Sequence, residues 1–290
     1  MFRDDVNRRK SGFTLIELLV VIAIIALLIA ILLPSLNAAK REGQRTSGLA
    51  NLRSIGQASI AYATDDAKNL FIPVHPAAQF WQEDGYLEYG GNAGICPAFA
   101  ATTNPQTDWG APTRPLNRML YGPGVGPGTD FKLFQDPADT GFADSSGFDP
   151  ALILGNFPDW LNKPVWLLTG ASYGANCFRS GGNTQSFFGP FMRPQSRIPS
   201  TSETIGYIQA PGLSAAANTI QFGQNPPESV MGWNGKLGKF NTAFCDGSGA
   251  TISMLHTDFK PPVTGPLQNL MLRGPNWRWD CLPDARILEP

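Results

Sequence analysis

Residues 8–33 read RRKSGFTLIELLVVIAIIALLIAILL, and the fold of the chain turns on them. From Phe13 to Leu33 run 21 residues with Glu17 as the single charged side chain and no helix breaker before Pro34. At a rise of about 1.5 Å per residue such a helix is about 31 Å long, the thickness of a bilayer's hydrocarbon core. A cleavable secretory signal has an apolar core of only about 7–15 residues, and Asn37-Ala38-Ala39 is a poor match to the site such a signal needs. A plain membrane anchor fits the length but leaves Glu17 without a reason, because a carboxylate in hydrocarbon costs about 2.5–3.5 kcal/mol. A charge placed there calls for a partner.

Outward from this core, the periodicity predicts that Pro34 kinks the helix without ending it. Leu36, Ala39, Leu49, Leu52, Ile55, Ser59 and Tyr62 recur at helical spacing beside a polar face of Lys40, Arg41, Gln44, Arg45 and Arg53. One helix of about 50 residues results, roughly 75 Å long, whose second part is free to pack on a following domain. Charge does not orient it. Arg3, Arg8, Arg9 and Lys10 precede the span, and Lys40, Arg41, Arg45 and Arg53 follow it, so the positive-inside count is a near tie.

The rest of the chain differs in composition. Of 31 glycines and 25 prolines, all but Gly12, Gly43, Gly48, Gly56 and Pro34 lie beyond residue 66, as do all 7 tryptophans and all 4 cysteines. Residues 67–290 therefore read as a loop-rich globular region. Its clearest unit is Lys239 to Leu255, two alternating runs joined by Asp246-Gly247, which predicts a β-hairpin. Thr204 to Gln209 is a further strand candidate. Antiparallel sheet beside a long helix gives an α+β class. With 22 Lys+Arg against 23 Asp+Glu, the chain has no cationic footprint for a phosphate backbone, so no nucleic-acid partner is expected.

The basic run, the glycine, and the phenylalanine followed by an apolar stretch with one acid resemble the processing motif of the type IV pilins and type II secretion pseudopilins. The residues that carry the resemblance are Arg8-Arg9-Lys10-Ser11-Gly12-Phe13-Thr14-Leu15-Ile16-Glu17 and the apolar run after them. It implies a leader over residues 1–12, cleavage after Gly12 by a prepilin peptidase, and methylation of the new N-terminal Phe13. Residues 13–33 become the transmembrane and assembly helix, residues 34–66 its amphipathic continuation, and residues 67–290 an exported β-rich head. Pro34 matches a proline the family often has. In a polymer the Glu17 carboxylate of one subunit can pair with the Phe13 ammonium of its neighbour, compensating two buried charges. The alternative is pairing with its own Phe13 amine, since positions i and i+4 share a helix face. The implied partners are the peptidase, other subunits of the same kind and the bacterial inner membrane, crossed once, with the head in the periplasm or on a filament.

The C-terminal region is similar to a prepilin-like branch common in planctomycete-type bacteria. Asp246-Gly247 match its Asp-Gly, with Lys236 where the branch carries His; Ser172-Tyr173-Gly174-Ala175-Asn176 and Arg193-Pro194 through Pro199–Thr204 are similar to it, and Phe134-Gln135-Asp136-Pro137 stands where the branch shows Cys-Pro before an Asp-Pro step.

Other chemistry is thinner. Gly170-Ala171-Ser172-Tyr173-Gly174 fits a nucleophile-elbow pattern with Asp246 and His256 in hydrolase order, but no helical period follows it, and a Gly-bounded turn is the better reading. His75 and His256 are the only histidines. Asp130, Asp136, Asp139, Asp144 and Asp149 could hold Ca²⁺, yet they miss the EF-hand spacing and read better as solvated turn residues. No cofactor is expected otherwise. Residues 122–128, Gly-Pro-Gly-Val-Gly-Pro-Gly, match neither phosphate-binding pattern and read as a loop. Cys96, Cys177, Cys245 and Cys281 allow two disulfides in three pairings, and Cys245 fits equally as a small core residue. The tryptophans are expected in the core, with sugar stacking as the rival use. A structural polymer subunit, not an enzyme, is the leading expectation. A membrane-tethered glycan-binding module is second and a tethered hydrolase third.

Overall fold

The computed structural model describes residues 14–74, 89–92, 110–126, 128–141, 163–176, 179–180, 186–187, 189–213, 215–216, 227–255, 258–260 and 271–281. Helix α1, Leu15–Asp65, is 51 residues long and runs through Pro34. Proline lacks the N–H that would bond back one turn; beside it Ser35 Oγ donates to the Leu32 carbonyl at 2.8 Å. The helix stops where Asp66 Oδ2 accepts from the N–H groups of Lys68 (3.0 Å) and Leu70 (3.1 Å), offering the chain a turn in place of another helical rung. Asn69, at φ 53°, completes the reversal.

The chain forms two compact units, one ending at Glu42 and the other beginning at Gly43, so the last part of α1 is built into the second unit. The strands of that unit are β1 (Tyr173–Ala175), β2 (Arg179–Ser180), β3 (Ser186–Phe187), β4 (Ile205–Gln209), β5 (Lys239–Phe244), β6 (Gly249–Ser253), β7 (Phe259–Lys260), β8 (Met271–Gly274) and β9 (Trp277–Arg278). The main sheet is antiparallel with order β1-β4-β5-β6; β2 pairs with β3, and β7, β8 and β9 form a small third sheet. The class is α+β, as the pattern predicted, and the β5–β6 hairpin and the 205–209 strand stand where the sequence placed them.

Sequence alternation on β5 sends its residues into two different cores. Ala243, with Cys245 just beyond the strand, meets Leu52, Ile55 and Ala58 of α1, together with Phe71, Tyr89 and Tyr207. Phe240 and Phe244 enter a second core with Ile205, Ile208, Ile252, Met254, Trp277 and Trp279. An antiparallel sheet commonly leaves one face to water; here α1 covers one face and the C-terminal tryptophans cover the other.

The packing face of α1 differs from the expected one. Leu36 and Ala39 are exposed, and burial begins at Gly48, continuing through Leu52, Ile55, Gly56, Ala58, Ser59 and Ala63. Small residues occupy the stripe because the head approaches the helix backbone closely. A Cβ on Gly48 would stand 2.6 Å from Asp136 Oδ2. Across from Gly56 sits the hairpin turn, where Asp246 Oδ1 accepts from Ser248 N at 2.8 Å and Gly247 takes φ 79° against Gln57 and Ile60. The Asp-Gly pair is thus both a turn former and the flat surface on which α1 rests.

Candidate functional site

The N-terminal end of α1 is built from two side chains. Thr14 N and Thr14 Oγ1 both donate to Glu17 Oε2, at 2.8 and 2.7 Å, and Glu17 N donates back to Thr14 Oγ1 at 3.2 Å. This is a reciprocal capping box, which satisfies backbone donors that a helix start otherwise leaves open. Glu17 Oε1 accepts nothing among the described residues, so half of the carboxylate is left for a second donor. Gly12 and Phe13 lie outside the described residues. The box was legible as Thr-x-x-Glu before an apolar run, a signal the motif reading passed over.

Beyond the box the helix presents an unbroken apolar surface. Every large hydrophobic residue from Leu15 to Leu36 is exposed, from 45% at Val21 to 79% at Leu15. The helix is long and apolar enough to cross a membrane, and none of that stretch is covered by the rest of the chain. Exposed apolar area on this scale marks a surface made for lipid or for other chains.

In the head, the sequence-predicted groups take structural posts. Ser172 is fully buried and stands between a helical turn, Val165–Thr169, and strand β1, the reverse of the strand-then-helix order an elbow requires. Its Oγ donates to Asp139 Oδ2 at 2.7 Å and accepts from Asp136 N at 2.9 Å. His75 and His256 lie outside the described residues. Lys236 and Asp246 flank opposite ends of β5, a strand of about 20 Å, so the branch's His and Asp-Gly positions do not meet.

The aspartates of the 130–139 loop correct the expectation of solvated turns in part. Asp130 is exposed and pairs with Lys132 at 2.7 Å. Asp136 is buried: Oδ1 accepts from Ala138 N at 2.9 Å and Oδ2 from Gln209 Nε2 at 2.7 Å. Burial raises its pKa from 3.8 to about 6, against those two hydrogen bonds. Asp139 accepts from Gly141 N, Val165 N, Trp166 N and Ser172 Oγ, and burial still raises its pKa. Both carboxylates serve as fixed acceptors that fold the loop onto β1 and β4. No group of metal-ligating residues occurs among the described residues, and Asp144 and Asp149 lie outside them.

From this loop a polar network runs to α1 and the sheet. Gln44 Nε2 donates to the Pro137 carbonyl at 2.8 Å, and Asn51 Nδ2 to the Gln135 carbonyl at 3.0 Å. Gln209 Oε1 accepts from Asn241 N, and Asn241 Nδ2 donates to the Arg45 carbonyl at 2.9 Å. Arg45 Nη1 reaches Thr251 Oγ1 at 2.8 Å, and Arg53 Nη2 reaches the Gly249 carbonyl at 2.8 Å. Two of the cations that follow the apolar span are therefore engaged by β6.

Cys245 and Cys281 are free, buried thiols of the first core; burial pushes both pKa values up, that of Cys281 to about 11. Cys96 and Cys177 lie outside the described residues. Trp277 and Trp279 are core residues, and half-buried Trp233 donates Nε1–H to the Gly141 carbonyl at 3.1 Å. Gly122, just past the helix Pro115–Tyr121, and Gly128 take positive φ.

In sequence order, then, an uncovered apolar helix with one capped acid at its start is followed by an α+β unit. Residues 7–33 match the family model of the prokaryotic N-terminal methylation motif. Over 59 residues the chain is 46% identical to the type IV wide pilus major component PilA4 of Thermus thermophilus. That alignment covers 20% of this chain, and the chain spans 45% of the relative's length. No solved structure matches. Motif and relative together support a reading of the chain within the type IV pilin and pseudopilin family. That family is structural and generally not enzymatic.

Proposed function

We propose that the chain is made as a membrane-anchored precursor, cleaved after Gly12 by a prepilin peptidase, methylated on Phe13, and polymerised through α1 into a pilus or a type II secretion pseudopilus. The observation that carries this reading is the uncovered apolar half of α1. A single copy in water would leave sixteen large hydrophobic side chains unpartnered, and a bilayer followed by a filament core covers that surface in turn. Glu17 supplies the register. Its free oxygen meets the Phe13 ammonium of a neighbour, and neither charge then stands alone in an apolar core. The head, sparing in charge and rich in Gly/Pro loops, is the displayed surface on the exported side of the inner membrane.

Intact-mass and N-terminal analysis of the protein from its own host tests the processing. A mature chain beginning at N-methyl-Phe13 is expected; an intact Met1, or a cut near Ala39, overturns the reading.

A further inference from the structure

Four cations follow the apolar span, and the structure employs two of them. Arg45 and Arg53 are tied to Thr251 and Gly249 of β6. Lys40 and Arg41 are exposed and have no hydrogen-bond or ion-pair partner among the described residues. We infer that Lys40 and Arg41 form an interfacial anchor for the phosphate-bearing headgroups of anionic phospholipids, on the leaflet facing the head. The inference rests on the membrane-anchored reading above and adds a lipid partner to it.

Position comes first. Lys40 lies seven residues past Leu33, roughly 10 Å along the helix axis from the end of the apolar run. The headgroup layer is about 5–7 Å deep on each side of the hydrocarbon. Both backbones thus stand just outside the phosphate level. Side chains on a helix lean toward its N-terminus, which here points into the membrane. Long cationic side chains in that place reach back to the phosphates with their stems along the interface. A leucine or glutamate at either position would lack one half of that fit.

Charge then selects the lipid over a second copy of the helix. Between Glu17 and Asp65, α1 carries one acidic residue, Glu42, and Glu42 already has a partner of its own. It adjoins the two cations in sequence and does not share their helix faces. A neighbouring α1 therefore offers Lys40 and Arg41 almost no anion, whereas an anionic leaflet offers a phosphate at each lipid. Near such a surface each basic side chain contributes about fivefold to attraction, so the pair contributes roughly thirty-fold.

The test uses the full chain in nanodiscs of equal phosphatidylglycerol and phosphatidylcholine, with the co-purifying lipid counted by native mass spectrometry. Wild type is expected to retain phosphatidylglycerol preferentially, and the preference is expected to fall by roughly thirty-fold in Lys40→Gln/Arg41→Gln. Lys236→Gln, at an exposed site on the head, leaves it unchanged. Raising salt toward 1 M weakens the wild-type preference. Equal retention in wild type and double variant overturns the inference. So does displacement of the lipid by millimolar inorganic phosphate, which marks a free-phosphate site. Filament loss in the double variant with unchanged lipid retention overturns it in favour of a protein partner. Wild-type chain washed from native membranes by alkaline carbonate would instead sink the anchored reading beneath it.

Discussion

The two ends of α1 use the same backbone for opposite purposes. From Leu15 to Leu36 the helix is made of large aliphatic side chains, and all of them face outward. From Gly48 to Ala63 the buried stripe holds Leu52 and Ile55, and its other members are two glycines, two alanines and a serine. The first half leaves its bulk uncovered by the rest of the chain. The second half is shaped for one partner, its own sheet, and smallness lets backbone approach backbone. Apolar content by itself is therefore a poor guide to where this chain's core lies. The most hydrophobic segment is the most exposed, and the core helix is the blander one.

The comparison can be broken at several points. The largest effect is expected at the outward-facing end, where on the proposed assembly role Glu17→Ala should abolish polymer while leaving precursor in the membrane. Sedimentation of filaments against membrane-fraction blotting reads both, and unchanged filaments would count heavily against the assembly role. At the sheet-facing end, Leu52→Ala removes a fully buried side chain and should destabilise the head by about 2–5 kcal/mol in a denaturant titration. Leu27→Ala, at a site 63% exposed, should leave that titration unmoved. Gly48→Ala presses a methyl against Asp136 and should cost about 1–3 kcal/mol, where Gly43→Ala, with open space around it, costs nothing measurable or stabilises slightly.

Acidity sharpens the same contact. The folded pKa of Asp136, about 6, lies above its unfolded value near 3.8. Between those values the folded state binds the extra proton, so the carboxyl's contribution is fully present below about pH 4 and is lost as pH rises through about 6. The loss is on the order of 3 kcal/mol. The difference between the stability curves of wild type and Asp136→Asn should show this slope over pH 4–6, and a flat difference refutes the burial of that charge. The smallest effect is expected from Asn51→Ala, which removes the side-chain bonds to the Gln135 carbonyl (3.0 Å) and, more weakly, the Lys132 carbonyl (3.4 Å), and should cost about 1 kcal/mol.

Much of the molecule was legible in advance where one residue type answers to one local cause. The 21-residue apolar run, the tolerated Pro34 and the Asp246-Gly247 hairpin all follow from periodicity and turn chemistry. The Thr14–Glu17 box was equally open to reading, since it needs only four consecutive residues. The roles of Asp136, Asp139 and Ser172 were not, because each is defined by donors from segments far apart in sequence. Asp139 gathers N–H groups from Gly141, Val165 and Trp166, and a loop aspartate with such a shell cannot be told from a solvated one by spacing. Gly48 and Gly56 have no helix-forming merit, and the spacing of aliphatic residues alone points to a face that starts at Leu36, whereas burial starts at Gly48.

By itself the sequence determined that this protein has a membrane-length helix bearing one acid near its start, followed by an antiparallel, loop-rich head. Those properties depend on composition within a few turns or one hairpin, and local physics suffices for them. Tertiary structure alone decided where α1 ceases to face outward and begins to face the sheet. It also decided which aspartates lose their water, and which cations β6 engages. Each of these depends on what other segments bring within hydrogen-bonding or van der Waals reach, and no stretch of sequence read alone contains that distance.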